Sequence, residues 1–449
     1  MRSSLHPNSK TSRRWRGAIL GLAALAVSPL AADDWPQWRG PHRDGKSAEK
    51  GLLQEWPEGG PPLVWQTEGV GAGFSSVSVA DGRIYTMGDL EDGQYVFGLS
   101  ESDGQILWQT RVGPIHEDEY GGSRSTPTTD GDRIFVVDTQ GDVVALEAAS
   151  GKEIWRVSMV DAYDSYLMKA MGSYDWRYTE SPLVDGNKVI VTPGHVQAMM
   201  VALDKESGEE IWKTQGHRIG PIGADGAAYS SIVVTEIDGT RQYVQLVGRG
   251  VIGVDAETGR MLWSYNRVAN DIANIPTPVV TGDFVFTSTG YGTGAALLKI
   301  SPNPDFDASS EEEEQEEWLV DEVYFLEADT MQNHHGGIIL DDGYVYTGTG
   351  HNKGFPLAVK FDTGEVAWGP IRNDGQNSAA ITYADGCIYF RYQNGLMILV
   401  EANPEEYIER GSFPIPGSTK PSWSHPVVAN GKLLLKEQGT LLSYDISAE

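Results

Sequence analysis

Cysteine is almost absent from this chain: its 449 residues include one, Cys387. A single thiol excludes an intramolecular disulfide and any Cys-x-x-Cys-His haem attachment. Set in the apolar stretch Gly386-Cys-Ile-Tyr-Phe390, it reads as a small buried hydrophobe. Basic residues are scarce too, 34 Lys and Arg against 63 Asp and Glu, for a formal net charge of −29. So acidic a surface disfavours nucleic acid and anionic lipid and favours solubility. The apolar run Ala18–Val27 is too short to be a permanent membrane span. There is no His-Glu-x-x-His and no Gly-x-Ser-x-Gly elbow. Zinc-protease and serine-hydrolase chemistries therefore lack their motifs.

What is present begins with Arg13, Arg14 and Arg16, then the apolar run, then Pro29-Leu-Ala-Ala before Asp33. That order predicts a secretory signal over 1–32, cleaved near Ala32. Arg16 stands where a twin-arginine signal wants an apolar residue, so the general export route is expected. No cysteine follows the run, and no lipid anchor is expected there. Losing 1–32 removes five basic residues and no acidic one, so the exported chain is more acidic still. The expected product is periplasmic or extracellular, monomeric and not inserted in a membrane. Residues 33–62 open with Asp33-Asp-Trp-Pro-Gln-Trp-Arg-Gly-Pro-His-Arg-Asp-Gly45, which lacks strand periodicity. They read as an ordered extension pinned by Trp35 and Trp38.

The dominant pattern is a ten-residue cassette, an apolar residue followed by a turn whose Gly lies four residues before Trp. It occurs at Leu99–Trp108, Leu146–Trp155, Leu203–Trp212, Val254–Trp263 and Val359–Trp368. Glycine there supplies the positive φ of a short hairpin. Asp-Gly or Asn-Gly plus a β-rich run precedes most copies, as in Asp130-Gly-Asp-Arg-Ile-Phe-Val-Val137. Self-similarity at a period of about 40–50 residues with four short strands per unit predicts a β-propeller. Units are expected at 66–108, 109–155, 156–212, 213–263, 264–318, 319–368 and 369–413, with an incomplete last unit at 414–449. Its missing strand is Leu63–Trp65, a tryptophan without its preceding turn. Pairing the two closes an all-β, eight-bladed ring of four-stranded antiparallel blades over 63–449. The acidic insertion 301–317 in the fifth unit reads as a solvated loop, with weak calcium affinity as the lesser alternative.

These blades resemble the pyrroloquinoline-quinone (PQQ)-type repeat of quinoprotein alcohol dehydrogenases and of outer-membrane protein assembly factor B. The stretches Asp34-Trp-Pro-Gln-Trp-Arg-Gly-Pro41, Glu180-Ser-Pro-Leu-Val-Asp-Gly186, Ala273-Asn-Ile-Pro-Thr-Pro-Val279 and Asn333-His-His-Gly-Gly337 further resemble an exported bacterial subfamily named for the repeat. The resemblance implies the propeller fold and two possible roles. One is a non-catalytic exported scaffold that binds an envelope protein or a small ligand. The other is a quinoprotein-like oxidoreductase with PQQ and calcium, for which Glu180 and Asn274 fall in comparable places. The adjacent cysteine pair of those enzymes is impossible here, and no matching catalytic Asp is assigned. No cofactor is the primary expectation.

Strands A to D of a blade run outward from the channel. D–A and B–C connections emerge on one face, A–B and C–D turns on the other. The Asp-Gly turns and the Glu311–Glu317 run make the second face acidic. Apart from His6 and His42, every histidine maps to the first: His116, His217, His334 and His335 in D–A connections, His425 at the start of an A strand, His195 and His351 in B–C loops. Arg124, Arg177, Glu180, Asp225, Tyr229, Asn274 and Asn377 also precede or begin inner strands there. With His335, His351 and His425 they form the candidate ligand site at the channel mouth. Adjacent residues in a strand point to opposite sides, so His334 and His335 are expected to diverge. His335 and His351 are the better metal pair but lack a third ligand, and no metal is expected. The long connection 157–180 carries Tyr163, Tyr166, Tyr174, Trp176 and Tyr178. These rings either grip a partner or pack over blades two and three.

Overall fold

The structure, a computed structural model, describes residues 34–116, 120–169, 176–215, 219–306 and 316–448. The expected signal segment, His217, Tyr174 and most of the acidic run lie outside the described residues. Eight antiparallel sheets are arranged as a propeller, with inner strands that follow one another in chain order. Blades 1 to 7 span 78–113, 128–158, 183–213, 233–265, 279–327, 338–368 and 379–414. Blade 8 joins three strands within 427–445 to Leu63–Glu68, which pairs antiparallel with Thr440–Asp445. Among the described residues no helix is long and apolar enough to cross a membrane.

Burial explains the residue choice in each strand. Middle strands are covered on both faces by neighbouring blades, so they are continuous apolar runs such as Ile134-Phe-Val-Val137 and Val143-Val-Ala-Leu146. Outer strands are covered on one face and alternate, as in Ile106–Gly113. Four of the five cassette strands run beyond the tryptophan, which the expected units placed at the strand end; Val366–Trp368 stops on it. The closing strand is Leu63–Glu68 rather than Leu63–Trp65, and blade 5 ends with Trp318–Glu327. Ladder pairing continues past the indole as far as Glu68 with Thr440.

The repeat's glycine serves a second purpose. A Cβ on Gly104, Gly151, Gly208 or Gly259 would overlap the indole of Trp65, Trp108, Trp155 or Trp212, each on the preceding blade. The turn of one blade is thus the seat for its neighbour's tryptophan. Three of those indoles also donate across the seam, from Trp65 Nε1 to Glu101 O (3.1 Å), Trp108 to Ala148 O (3.2 Å) and Trp155 to Lys205 O (3.0 Å). Blade 5 carries the insertion in place of the turn glycine. There Trp263 donates within its own blade, to Gln242 Oε1 at 2.7 Å.

The extension runs inside the ring. Trp35 bridges to Val79 of blade 1, and Pro36 O accepts from the backbone N–H of Thr129 in blade 2. Arg43 donates to Ser181 O, Pro182 O and Ile232 O at the starts of blades 3 and 4. Trp38 Nε1 donates to Thr277 Oγ1 before blade 5, and Arg39 donates to Ile338 O in blade 6. Lys46–Ser47 adds a parallel strand to the inner edge of blade 7, and Trp38 packs edge-on against His425 of blade 8. Contacts at or just before all eight inner strands put residues 35–47 across the channel axis. Both guanidinium groups are buried, with burial lowering Arg39 to a pKa of about 10 and Arg43 to about 9.

Candidate functional site

Above this plug lies a cavity of about 500 Å³ on the D–A/B–C face. Its floor is Trp38, Arg39 and His425. Its walls come from connections around the whole ring: Phe74, Tyr120, Arg124, Trp176, Tyr229, Tyr291, His334, His335, Gln393 and Trp423. Trp423 is the hub. It stacks on Phe74 (centroids 4.4 Å apart, 19° between planes), touches His335 at 4.8 Å and Tyr120 at 5.3 Å, and donates to Gln393 Oε1 at 2.9 Å. The Arg124 guanidinium lies over Phe74 and donates to Tyr120 O. On the far wall Trp176 meets Tyr229 edge-on at 5.6 Å.

Arg124, Tyr229, His335 and His425 of the expected set line this cavity; the other six residues do not. Glu180 is buried with its oxygens accepting from the N–H and hydroxyl of Thr192 and from Gln245 Nε2. Burial raises its carboxyl to a pKa of about 7. Asn274 is fully buried, donating to Val247 O and Gly248 O while accepting from the Asn270 N–H. Both side chains tie connecting backbone to the blades. Asp225 pairs with Arg249 beside a separate pocket that also includes Tyr166. Arg177 and Asn377 hold positive φ values of 66° and 63°, so their backbones shape loops at the mouth. His351 Nδ1 accepts from the Tyr291 N–H at 3.2 Å.

His334 and His335 do not diverge. They lie in a bend ahead of Ile338–Asp341, free of strand alternation, with ring centroids 4.1 Å apart and both rings at the cavity. His334, at 4.3 Å, is the ring beside His351, and its nitrogens engage Ser378 Oγ and Tyr291 Oη. Among the described residues no group of three His, Cys, Asp or Glu could hold a metal. In the 157–180 connection, Tyr163 and Tyr178 pack into the core between blades 2 and 3, and Trp176 reaches the cavity. Phe74, Tyr120 and Trp423 precede inner strands, as Arg124 and His425 do. The positional rule covered them, but ranking charge and imidazole above rings passed them over.

A calcium–quinone centre needs hard anionic oxygens beside the cofactor. The carboxylate of Glu180 is spent on Thr192 and Gln245, Asn274 is spent on backbone, and neither lines the cavity. These residues do not fit that group.

Burial holds His335 and His425 uncharged, each with its pKa lowered to about 3; nearby histidines add to the effect at His335 and Arg39 at His425. A folded pKa below the ordinary 6.5 gives stability that is present above pH 6.5 and lost as pH falls towards 3. Glu180, raised above 4.5, works oppositely, gaining as pH falls from 7. The comparison must therefore keep it. Between pH 7 and 4.5 the parent should lose roughly 2–4 kcal/mol more than a His335→Gln/His425→Gln variant in denaturant unfolding. Equal losses would show that these imidazoles do not carry the acid limb.

A family model described as outer membrane protein assembly factor BamB matches residues 92–370. BamB of Burkholderia pseudomallei is 23% identical over 341 residues, 73% of this chain and 75% of that protein. The chain spans about half the length of two further BamB relatives that it matches, 51% and 45%. The structure of BamB from Moraxella catarrhalis shares the fold with a TM-score of 0.56 at 15% identity, covering 86% of this chain and 99% of that one. Quinohemoprotein alcohol dehydrogenase from Comamonas testosteroni does so with 0.59 at 13% identity, covering 93% and 81%. A match across more than half of the chain, on blades that carry the repeat throughout, places this protein in the PQQ-like repeat family described as outer membrane protein assembly factor BamB.

Proposed function

We propose that this protein is an exported, non-catalytic binding propeller of the cell envelope, which holds a small ligand or an envelope-protein segment at the channel mouth. One observation carries the reading. The cavity has a closed floor, aromatic walls drawn from around the ring and, among the described residues, no carboxylate in its lining to share general acid and base work. BamB relatives, named for outer membrane protein assembly, favour a scaffold over an enzyme. The quinoprotein likeness favours an oxidoreductase through the fold alone.

The test is capture of envelope components by the mature protein. Trp423→Ala and Arg124→Ala, each first shown to be folded, should weaken capture by roughly 1–3 kcal/mol. Asp342→Asn, on an A–B turn of the opposite face, should behave as the parent. Equal capture by all three would move function away from the mouth. Loading with PQQ and calcium should give neither a quinone spectrum nor dye reduction; a quinone signal would instead establish the oxidoreductase.

A further inference from the structure

We propose that the channel-mouth cavity is a receptor for an acidic sugar, a pyranose ring carrying a carboxylate or a sulfate. This deepens the binding reading above and rests on it. Among the described residues no Asp or Glu lines the cavity, whose charged groups are Arg39 and Arg124. The lining therefore selects against cations and admits anions.

The floor states what is missing. Arg39 is 2% exposed and held by the carbonyls of Arg43, Asp44 and Ile338, with no carboxylate at ion-pair distance among the described residues. Its Nη1 has no hydrogen-bond partner. Nor has either ring nitrogen of His335. Arg39 and His425 share one corner: a Cβ on Gly337 would overlap Arg39 Nη1 and lie 2.9 Å from His425 Cε1, while His425 Nε2 donates to the backbone O of His335 at 3.2 Å, and the His335 ring lines the same cavity. A buried donor left unmet is costly, and an oxyanion offers acceptor oxygens to Arg39 Nη1 and to the His335 ring N–H.

The walls select the rest of the molecule. Trp423 and Trp176 supply ring surfaces for the C–H face of a sugar, and Asn352 and Gln393 bring amides among them. An apolar acid would leave those amides unused. The volume is that of a small-molecule site.

Tryptophan fluorescence and thermal shift of the whole mature protein test this with three probes: glucuronate, glucose 6-sulfate and glucose. At least one acidic sugar should quench the emission and raise the melting temperature, with glucose weaker by roughly tenfold or more. The stronger of the two acids identifies the anion. His335→Leu and Trp423→Leu should each weaken that binding roughly tenfold, and Asp342→Asn should not. Glucose binding as tightly as glucuronate would overturn the anion while leaving a ligand cavity. Parent-like binding by both cavity variants would overturn the location. No response to any probe up to roughly 10 mM would overturn the proposal outright, and envelope capture would then judge the binding reading separately.

Discussion

Deleting residues 34–47 is expected to cost the propeller more stability than any single core substitution. That segment makes contacts at or just before every inner strand, and Arg43 alone serves three carbonyls belonging to two blade junctions. Without it those carbonyls lose their donors at the channel wall, and each buried unmet group costs about 1–3 kcal/mol. Trp35, 3% exposed, leaves a further hole against Val79. Removing a buried indole costs about 3–5 kcal/mol by itself. We expect a fall in melting temperature well above 10 °C, on the scale of about 2–4 °C per kcal/mol for a large domain. Arg43→Ala should reproduce a substantial part of it. A deletion variant that melts within a few degrees of the parent would show that the plug is a passenger.

Removing the closing strand, Leu63–Glu68, should be as damaging in a different way. It takes the outer strand from blade 8 and leaves Thr440–Asp445 as an open edge, a template for pairing with other chains. It also removes Trp65, whose seat is Gly104 of blade 1, so one of the eight seams loses its indole. The expected outcome is concentration-dependent aggregation and no cooperative melt, seen by light scattering during heating. A soluble variant with an unchanged transition would mean that the ring does not depend on this closure.

The blades were legible because each repeats one local solution: alternation, an Asp-Gly turn, and glycine four residues before tryptophan. The partner of that glycine was less so. Gly259 seats Trp212 from the neighbouring unit, a contact that no single cassette contains. The plug was legible as ordered and not as placed, because Trp38 finds Thr277 at a separation of 239 residues and Arg39 finds Ile338 at 299. At the mouth, position before an inner strand located Arg124, Tyr229, His335 and His425. It also gathered Glu180 and Asn274, whose side chains turn back to the blades. Position along a chain does not say which way a side chain points, and buried polar groups turn towards whatever donors the backbone leaves unmet.

The plug also dictates an order of events. Residues 35–47 come early in the chain, yet their partners are spread to its far end, at His425. Contacts of such separation form slowly, since a loop of hundreds of residues must be closed before any of them is gained. The early segment must therefore stay extended and unaggregated while blade after blade is laid down around it. Its Pro, Gly, Arg and Asp content suits that wait. A ring completed first would shut it out, so the last blade and the first residues must lock together.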